Sequence, residues 1–207
     1  MAKTEQTRAR ILDAALALFN EHGTAAVSTN HVAAAAGLSP GNLYYHYADK
    51  QEIILALHQR GAAAQEALWG PDGGPRASLA QLEEGLARSI RLTWEYRFLD
   101  RELVALLRAD ERLRADYRAA YERRLAQWVA LGEQLAESGV LRRPAPPVTI
   151  SDLATAAWLI GTNWLPFLEV TGDPQDPAQV ARAAGLVRAI LAPYLESSGT
   201  TPEEEGL

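Results

Sequence analysis

The chain has no cysteine. That excludes a disulfide framework, a thiolate metal site and a cysteine nucleophile. It has no apolar run long enough to cross a bilayer, and no charged, apolar, small-residue leader pattern at its start. The expectation is a cytoplasmic protein without membrane contact. Four histidines, at positions 22, 31, 46 and 58, lack the close pairing that a metal site needs. There is no metal motif and no Gly-rich phosphate loop. Nothing therefore points to an enzyme, and no cofactor or metal is expected. Positive charge is also scarce. Lys and Arg number 20 against 26 Asp and Glu, a net charge of -6, whereas a nucleic-acid binder usually carries a basic footprint.

What is present is helical periodicity. A first helix, Thr4 to His22, carries Ile11, Ala15, Leu18 and Phe19 on one stripe and stops at Gly23. A fourth, Lys50 to Trp69, turns Ile53, Ile54 and Leu57 inward. After the breaker at residues 71–75, Leu79, Leu82, Leu86, Ile90 and Trp94 mark a fifth. Asp100 reads as the cap of a sixth helix, Arg101 to Ala109, and Asp110 as the cap of a seventh, Glu111 to Glu137. A Pro-rich connector at 142–147 leads to an eighth, Ile150 to Val170, opened by Thr149 and Asp152. Pro166 should kink or break it. A ninth starts at Pro177 behind Asp176. Residues 196–207 have the composition of a disordered tail. With no strand-like alternation and no repeat, the chain reads as all-α with about nine helices.

The informative stretch is Ser28 to Lys50. Ser28 caps a short helix, and Gly37 ends it by entering the left-handed conformation. Ser39 caps a second short helix with Pro40 at its first position. Asp49, with Glu52 three residues on, opens the fourth helix. Two short helices around a Gly-containing turn are the parts of a helix-turn-helix. In the second short helix Leu43 and Tyr47, spaced i, i+4, face the core. Gly41, Asn42, Tyr45 and His46 face elsewhere. An amide can pair bidentately with adenine, and small residues let a helix sink into a major groove. A polar solvated face has the same composition.

The order of residues resembles the DNA-binding domain of the TetR family of bacterial one-component regulators. The resemblance runs through residues 8–23 (Arg-Ala-Arg-Ile-Leu-Asp-Ala-Ala-Leu-Ala-Leu-Phe-Asn-Glu-His-Gly), Val32-Ala33, Ala36-Gly37-Leu38-Ser39, Gly41, Leu43-Tyr44-Tyr45-His46-Tyr47 and Lys50. It covers about a quarter of the chain. The family usually has Phe at the place of Tyr47 and Thr at that of Ser28. The resemblance implies a three-helix DNA-binding domain over residues 1–50. A helical effector and dimerisation domain would follow over 51–195, joined by the fourth helix. DNA contacts are expected at Lys3, Ser28, Thr29, Asn30, Ser39, Pro40, Gly41, Asn42, Tyr44, Tyr45, His46 and Lys50. Residues 1–50 hold four cations and four anions, so help must come from helix N-termini and from a second subunit. The implied dimer uses helices 150–170 and 177–195, and the implied operator is palindromic double-stranded DNA.

Aromatics gather between residues 94 and 167. Trp94, Phe98, Tyr117, Tyr121, Trp128, Trp158, Trp164 and Phe167 either build an aromatic core or line a cavity for a small hydrophobic or aromatic effector. Residues 61–207 carry 15 cations and 21 anions, which leans toward a neutral or cationic ligand. The Arg run from 97 to 124 reads as a solvated helix face paired with interleaved carboxylates. The reading is a homodimeric, ligand-responsive repressor. A constitutive DNA-binding dimer or an activator without a ligand is the alternative.

Overall fold

The computed structural model describes residues 3–69 and 78–195. The breaker at 71–75 and the tail at 196–207 lie outside the described residues. Those described form nine α-helices and no strand: α1 Lys3–His22, α2 Thr29–Ala35, α3 Pro40–His46, α4 Lys50–Trp69, α5 Leu79–Glu95, α6 Arg97–Ala109, α7 Glu111–Glu137, α8 Ile150–Thr171 and α9 Pro177–Leu191. A 3-10 turn, Ala192–Tyr194, closes the chain against the segment after α7, where Arg142 N donates to Tyr194 O at 2.6 Å.

The local signals act as expected in α1 to α4. Ser28 Oγ accepts from His31 N, and the His31 ring accepts from Ser28 N, a capping box closed by histidine. Gly37 sits at φ 63°, where a side chain would be strained. Ser39 Oγ accepts from Asn42 N. Asp49 Oδ1 takes Glu52 N at 2.8 Å, while Glu52 reaches back to Ala48 N at 2.7 Å. Ile11, Ala15, Phe19, Val32, Leu43, Ile53 and Leu57 form the core between them. That core does not stop at α4, because Phe98, Leu99, Leu106 and Leu113 continue it.

The second core lies between the distal halves of α4, α5, α7, α8 and α9, with Trp69, Leu82, Leu86, Leu135, Ala157 and Val187 buried together. Two glycines let neighbours reach α4 and α5 closely. A Cβ at Gly61 would meet the Tyr96 ring at 3.1 Å, and one at Gly85 would meet the Trp69 ring at 2.8 Å.

Two boundaries differ from the sequence reading. α6 begins at Arg97, a turn before Arg101. Its first-turn N–H groups find no local cap, since Tyr96 supplies no side-chain bond. Asn20 of α1 supplies it instead: Oδ1 accepts from Phe98 N at 3.1 Å, and Nδ2 donates to Glu95 O at 2.8 Å. A cap from a helix 78 residues away leaves Asp100 inside the first turn rather than ahead of it. α8, in turn, runs through Pro166 to Thr171 as one helix. Nearby side chains bond back along it: Thr162 Oγ1 to Trp158 O at 3.0 Å, and Asn163 Nδ2 to Leu159 O at 3.0 Å.

Candidate nucleic-acid interface and interior cavities

On α3, Leu43 is fully buried and Tyr47, at the C-cap, is nearly so. With that side fixed inward, Pro40, Gly41, Asn42, Tyr44 and Tyr45 are exposed, Tyr45 at 80%. Tyr44 OH bonds Thr29 Oγ1 at 2.9 Å, which locks α3 to α2. Asn30 is exposed beside them on α2. A Cβ at Gly41 would meet nothing within 4 Å. Helix packing therefore sets no size limit at that position, although glycine costs a helix about 1 kcal/mol relative to alanine.

Several expected contact residues hold structural partners. Ser28 and Ser39 are occupied as caps. His46 is half-buried, its carbonyl accepts from Arg8 Nη1 at 2.8 Å, and its ring lies edge-on to Tyr45. The Arg8 guanidinium lies 4.3 Å over the Tyr47 ring. Lys50 is also tied within the fold. Its ammonium donates to Thr24 O at 2.6 Å and to Val27 O at 3.0 Å, so it pins the α1–α2 turn with two of its three protons. The side chain of Lys3 lies outside the described residues.

The aromatic set does not converge on one place. Phe98 is fully buried against Phe19, 5.3 Å between centroids, in the core shared with α1. Trp164 donates from Nε1 to Gln179 O at 2.8 Å and stacks on Phe167, which is 52% exposed. Trp94 lies under the Arg97 guanidinium and lines an outer cavity of about 220 Å³ between α5 and α9. Only Tyr117, Trp128 and Trp158 line the interior, with Tyr121 packed on Trp158 at 4.9 Å.

The interior holds two cavities of about 70 Å³ each, end to end along α4, α5, α7 and α8. The distal one is apolar, walled by Trp69, Leu82, Leu86, Trp128, Leu135 and Ala157. The indole N–H groups of Trp69 and Trp128 are buried without a partner among the described residues. The proximal one, nearer α1, is lined by His58, Gln65, Tyr96, Asp100, Tyr117, Arg124 and Trp158, among others. Between them the Trp128 and Trp158 rings meet at 6.0 Å. At the same level Gln65 and Ser89 are locked by reciprocal bonds of 2.7 and 3.0 Å.

Burial shapes the proximal charges. Asp100 is half-buried, and burial raises its pKa to about 7 against the pull of Arg124. Burial, helped by Asp100, pushes Tyr117 up to about 12. Burial also lowers His58, outweighing Asp116, whose Oδ2 lies 3.2 Å from Nε2. Arg124 turns inward, its guanidinium 4.8 Å from the Trp158 ring centre and its Nε buried without a partner. Here the reading of a uniformly solvated Arg run is corrected: Arg123 points out and binds Glu66 at 2.9 Å, while Arg124 points in. Sequence reasoning missed Asp100 because it resembled a cap, and Gln65 and His58 because a polar residue on an inward stripe looks like a lapse. Trp69, at the end of α4 and beyond Ile53, Ile54 and Leu57, was missed as well.

The cavity wall reaches α1 by two routes. Tyr96 OH accepts from Arg60 Nε at 2.9 Å, and Arg60 Nη1 binds Asp13 of α1 at 2.7 Å. The start of α6 is held by Asn20, as above. Beyond it Glu102 accepts from Thr24 N at 2.8 Å, and Arg101 Nη1 donates to Asn20 O at 3.2 Å.

Comparison with known proteins follows this geometry. The family model described as a bacterial transcriptional repressor, TetR, matches residues 62–202, and that of the bacterial regulatory proteins, tetR family, matches residues 11–57. The HTH-type transcriptional regulator AcrR of Shigella flexneri is 39% identical over 55 residues, 27% of this chain and 26% of that protein. The match thus spans about a quarter of that relative's length. Over the whole fold, a TetR-family transcriptional regulator from Marinobacter aquaeolei VT8 superposes with TM-score 0.80 at 32% identity, covering 95% of this chain and 92% of that one. A regulator from Saccharomonospora viridis, solved in complex with choline, shares the fold with TM-score 0.71 at 19% identity, over 93% of this chain and 100% of that one.

Proposed function

The chain belongs to the TetR family of bacterial transcriptional regulators, and from that premise we propose that it is a cytoplasmic, homodimeric repressor that reads a palindromic operator with α3 and releases it when a small apolar or aromatic effector enters the helical domain. Residues 1–50 read DNA, and residues 51–195 hold the effector and form the dimer. The outer face of α3 carries the reading. Leu43 and Tyr47 fix its inner side, Thr29 locks Tyr44 to α2, and Gly41, Asn42 and Tyr45 are left outward. Asn42 pairs with a base edge, bare backbone at Gly41 permits close approach, and the Tyr45 hydroxyl reaches the sugar-phosphate chain.

The dimer rests on α8 and α9. Leu159, Phe167 and Val170 of α8 are exposed, Val170 at 85%, and α9 turns Ala181, Gly185 and Ala189 outward. A Cβ at Gly185 or Gly161 would meet nothing within 4 Å. A second copy of the chain covers this face and sets the two α3 helices for successive major grooves, about 34 Å apart. Val187 belongs to the subunit's own core, since it is 2% exposed and lines the distal cavity.

Control is a shift between two spacings of the α3 helices. An effector in the interior cavities favours one spacing only through differential affinity. The Tyr96–Arg60–Asp13 and Asn20–α6 contacts carry that difference into α1, beside the continuous α4. The experiment is selection of bound DNA from a random library by the full chain. A two-fold motif with half-sites one helical turn apart is expected, and the absence of any enriched sequence would sink the proposal.

A further inference from the structure

The proximal cavity holds two charged groups that the fold leaves unmatched. Among the described residues Arg124 has no ion pair and a buried Nε without a partner, and the nearby Glu66 is held by Arg123. Asp100 makes no hydrogen bond or ion pair among the described residues. These two groups differ in one respect. A guanidinium keeps its charge in any protein interior, whereas a carboxyl sheds its charge by taking up a proton. The permanent charge of this cavity is therefore positive. The Trp158 face, which would cradle a cationic headgroup, is already occupied by Arg124. Beyond the Trp128–Trp158 contact lies the second cavity, which is apolar.

From this arrangement we infer that the effector is an amphiphilic carboxylate, its headgroup on Arg124 and Asp100 and its apolar tail in the distal cavity. Arg124 donates to the carboxylate. Asp100, carrying a proton, donates to its second oxygen. The tail parts the Trp128 and Trp158 rings and joins two cavities that separately hold only a few atoms. The α7 residues that line the two cavities run from Tyr117 to Leu135, about 27 Å at 1.5 Å per residue, so the cavities once joined accommodate a medium-length chain. The other groups facing Asp100 do not compete for the role. Burial pushes His58 on α4 toward its neutral form, the Tyr117 hydroxyl on α7 stays protonated, and Tyr96 between α5 and α6 already accepts from Arg60. The interior charge thus overrides the acidic surface, which had leaned toward neutral or cationic ligands.

This inference rests on the interior cavities being the effector site, and the test separates the two. Decanoate, 1-decanol and decyltrimethylammonium, all below micellar concentration, are titrated into the full chain by calorimetry and Trp fluorescence. Decanoate should bind at least about 10-fold tighter than either analogue and tighter than butyrate, which leaves the distal cavity empty. Arg124→Gln should weaken it about 10- to 100-fold, the range for a lost charge-assisted bond. Binding should weaken as pH rises from 6 to 8, because Asp100 loses its proton across that interval. Asp100→Asn, which keeps a donor, should bind decanoate without that pH dependence. Equal binding of 1-decanol, preference for decyltrimethylammonium, or an unchanged affinity in a folded Arg124→Gln would overturn the ligand class and leave the site standing. If none of these probes binds or perturbs the tryptophans, the effector site itself is wrong, and the ligand class falls with it.

Discussion

The two ends of this molecule are stabilised by bonds of different reach. In the α2–α3 region the caps all lie within four residues: Ser28 with His31, Ser39 with Asn42, Asp49 with Glu52, Ala48 with Glu52, and a few longer ties, Thr29 with Tyr44 and Lys50 with Thr24 and Val27, hold them to their neighbours. In the helical domain the deciding contacts span tens of residues: Asn20 with Phe98, Gln65 with Ser89, Arg123 with Glu66. The first kind produces a rigid platform whose outer face is free to be chemically specific. The second kind ties separate helices together, from the cavity wall to α1. A reader needs the former and a switch needs the latter.

The strongest way to break this comparison is to separate the subunits. Gly185→Glu adds a charge where the subunit leaves open space and replaces a residue that costs the helix about 1 kcal/mol, so the fold should survive. Sedimentation should show folded monomers, and operator affinity should fall by more than about 100-fold. Val187→Glu, by contrast, buries a charge in the subunit core and should yield unfolded or insoluble protein.

Next are the two ties to α1. Lys50→Ala removes two bonds to the carbonyls of Thr24 and Val27 and should destabilise by about 1–3 kcal/mol, measured by chemical denaturation. Asn20→Ala removes the tertiary cap of α6 and should lower stability by about 1–2 kcal/mol. It should also reduce the change in operator affinity on effector binding, while operator affinity without effector changes little. An Asn20→Ala protein with full stability and full effector response would deny the α1–α6 route.

A subtler effect is the pH dependence from Asp100. Its folded pKa, about 7, lies above the ordinary carboxylate value. The folded state therefore holds more protons than the unfolded one between about pH 4 and 7, and Asp100's contribution to stability declines as pH rises through that window. Asp100→Asn should flatten this decline and raise the melting temperature most at pH 8. Thermal melts of both proteins at pH 5 and pH 8 measure the difference. The smallest effect belongs to Gly41→Ala. Stability should rise by up to about 1 kcal/mol while operator affinity falls, a combination that a merely solvated α3 would not show.

The same contrast in reach explains what was legible in the sequence. Local caps and stripes located the helices within a residue or two at most ends, and the exposed side of α3 followed from the i, i+4 pair Leu43 and Tyr47. The start of α6 did not follow, because its cap comes from Asn20. Asp100 was mistaken for that cap, and its place in a cavity wall was hidden. The inward turn of Arg124 was invisible beside Arg123, since adjacent residues point about 100° apart on a helix and both look solvated in a run of alternating charge. Most of the aromatics were located on the correct helices, although Phe98 proved to lie in α6 ahead of its expected start, and only packing decides that Phe98 faces α1, Trp164 faces α9 and Trp158 faces the cavity.

The measurement that bears most directly on the central claim is the DNA motif selected by Asn42→Ala beside that of the unaltered protein. Base reading by α3 predicts that preference is lost at one symmetric pair of positions, with affinity for the original motif lower by about 1–3 kcal/mol. An identical motif bound with unchanged affinity would contradict it.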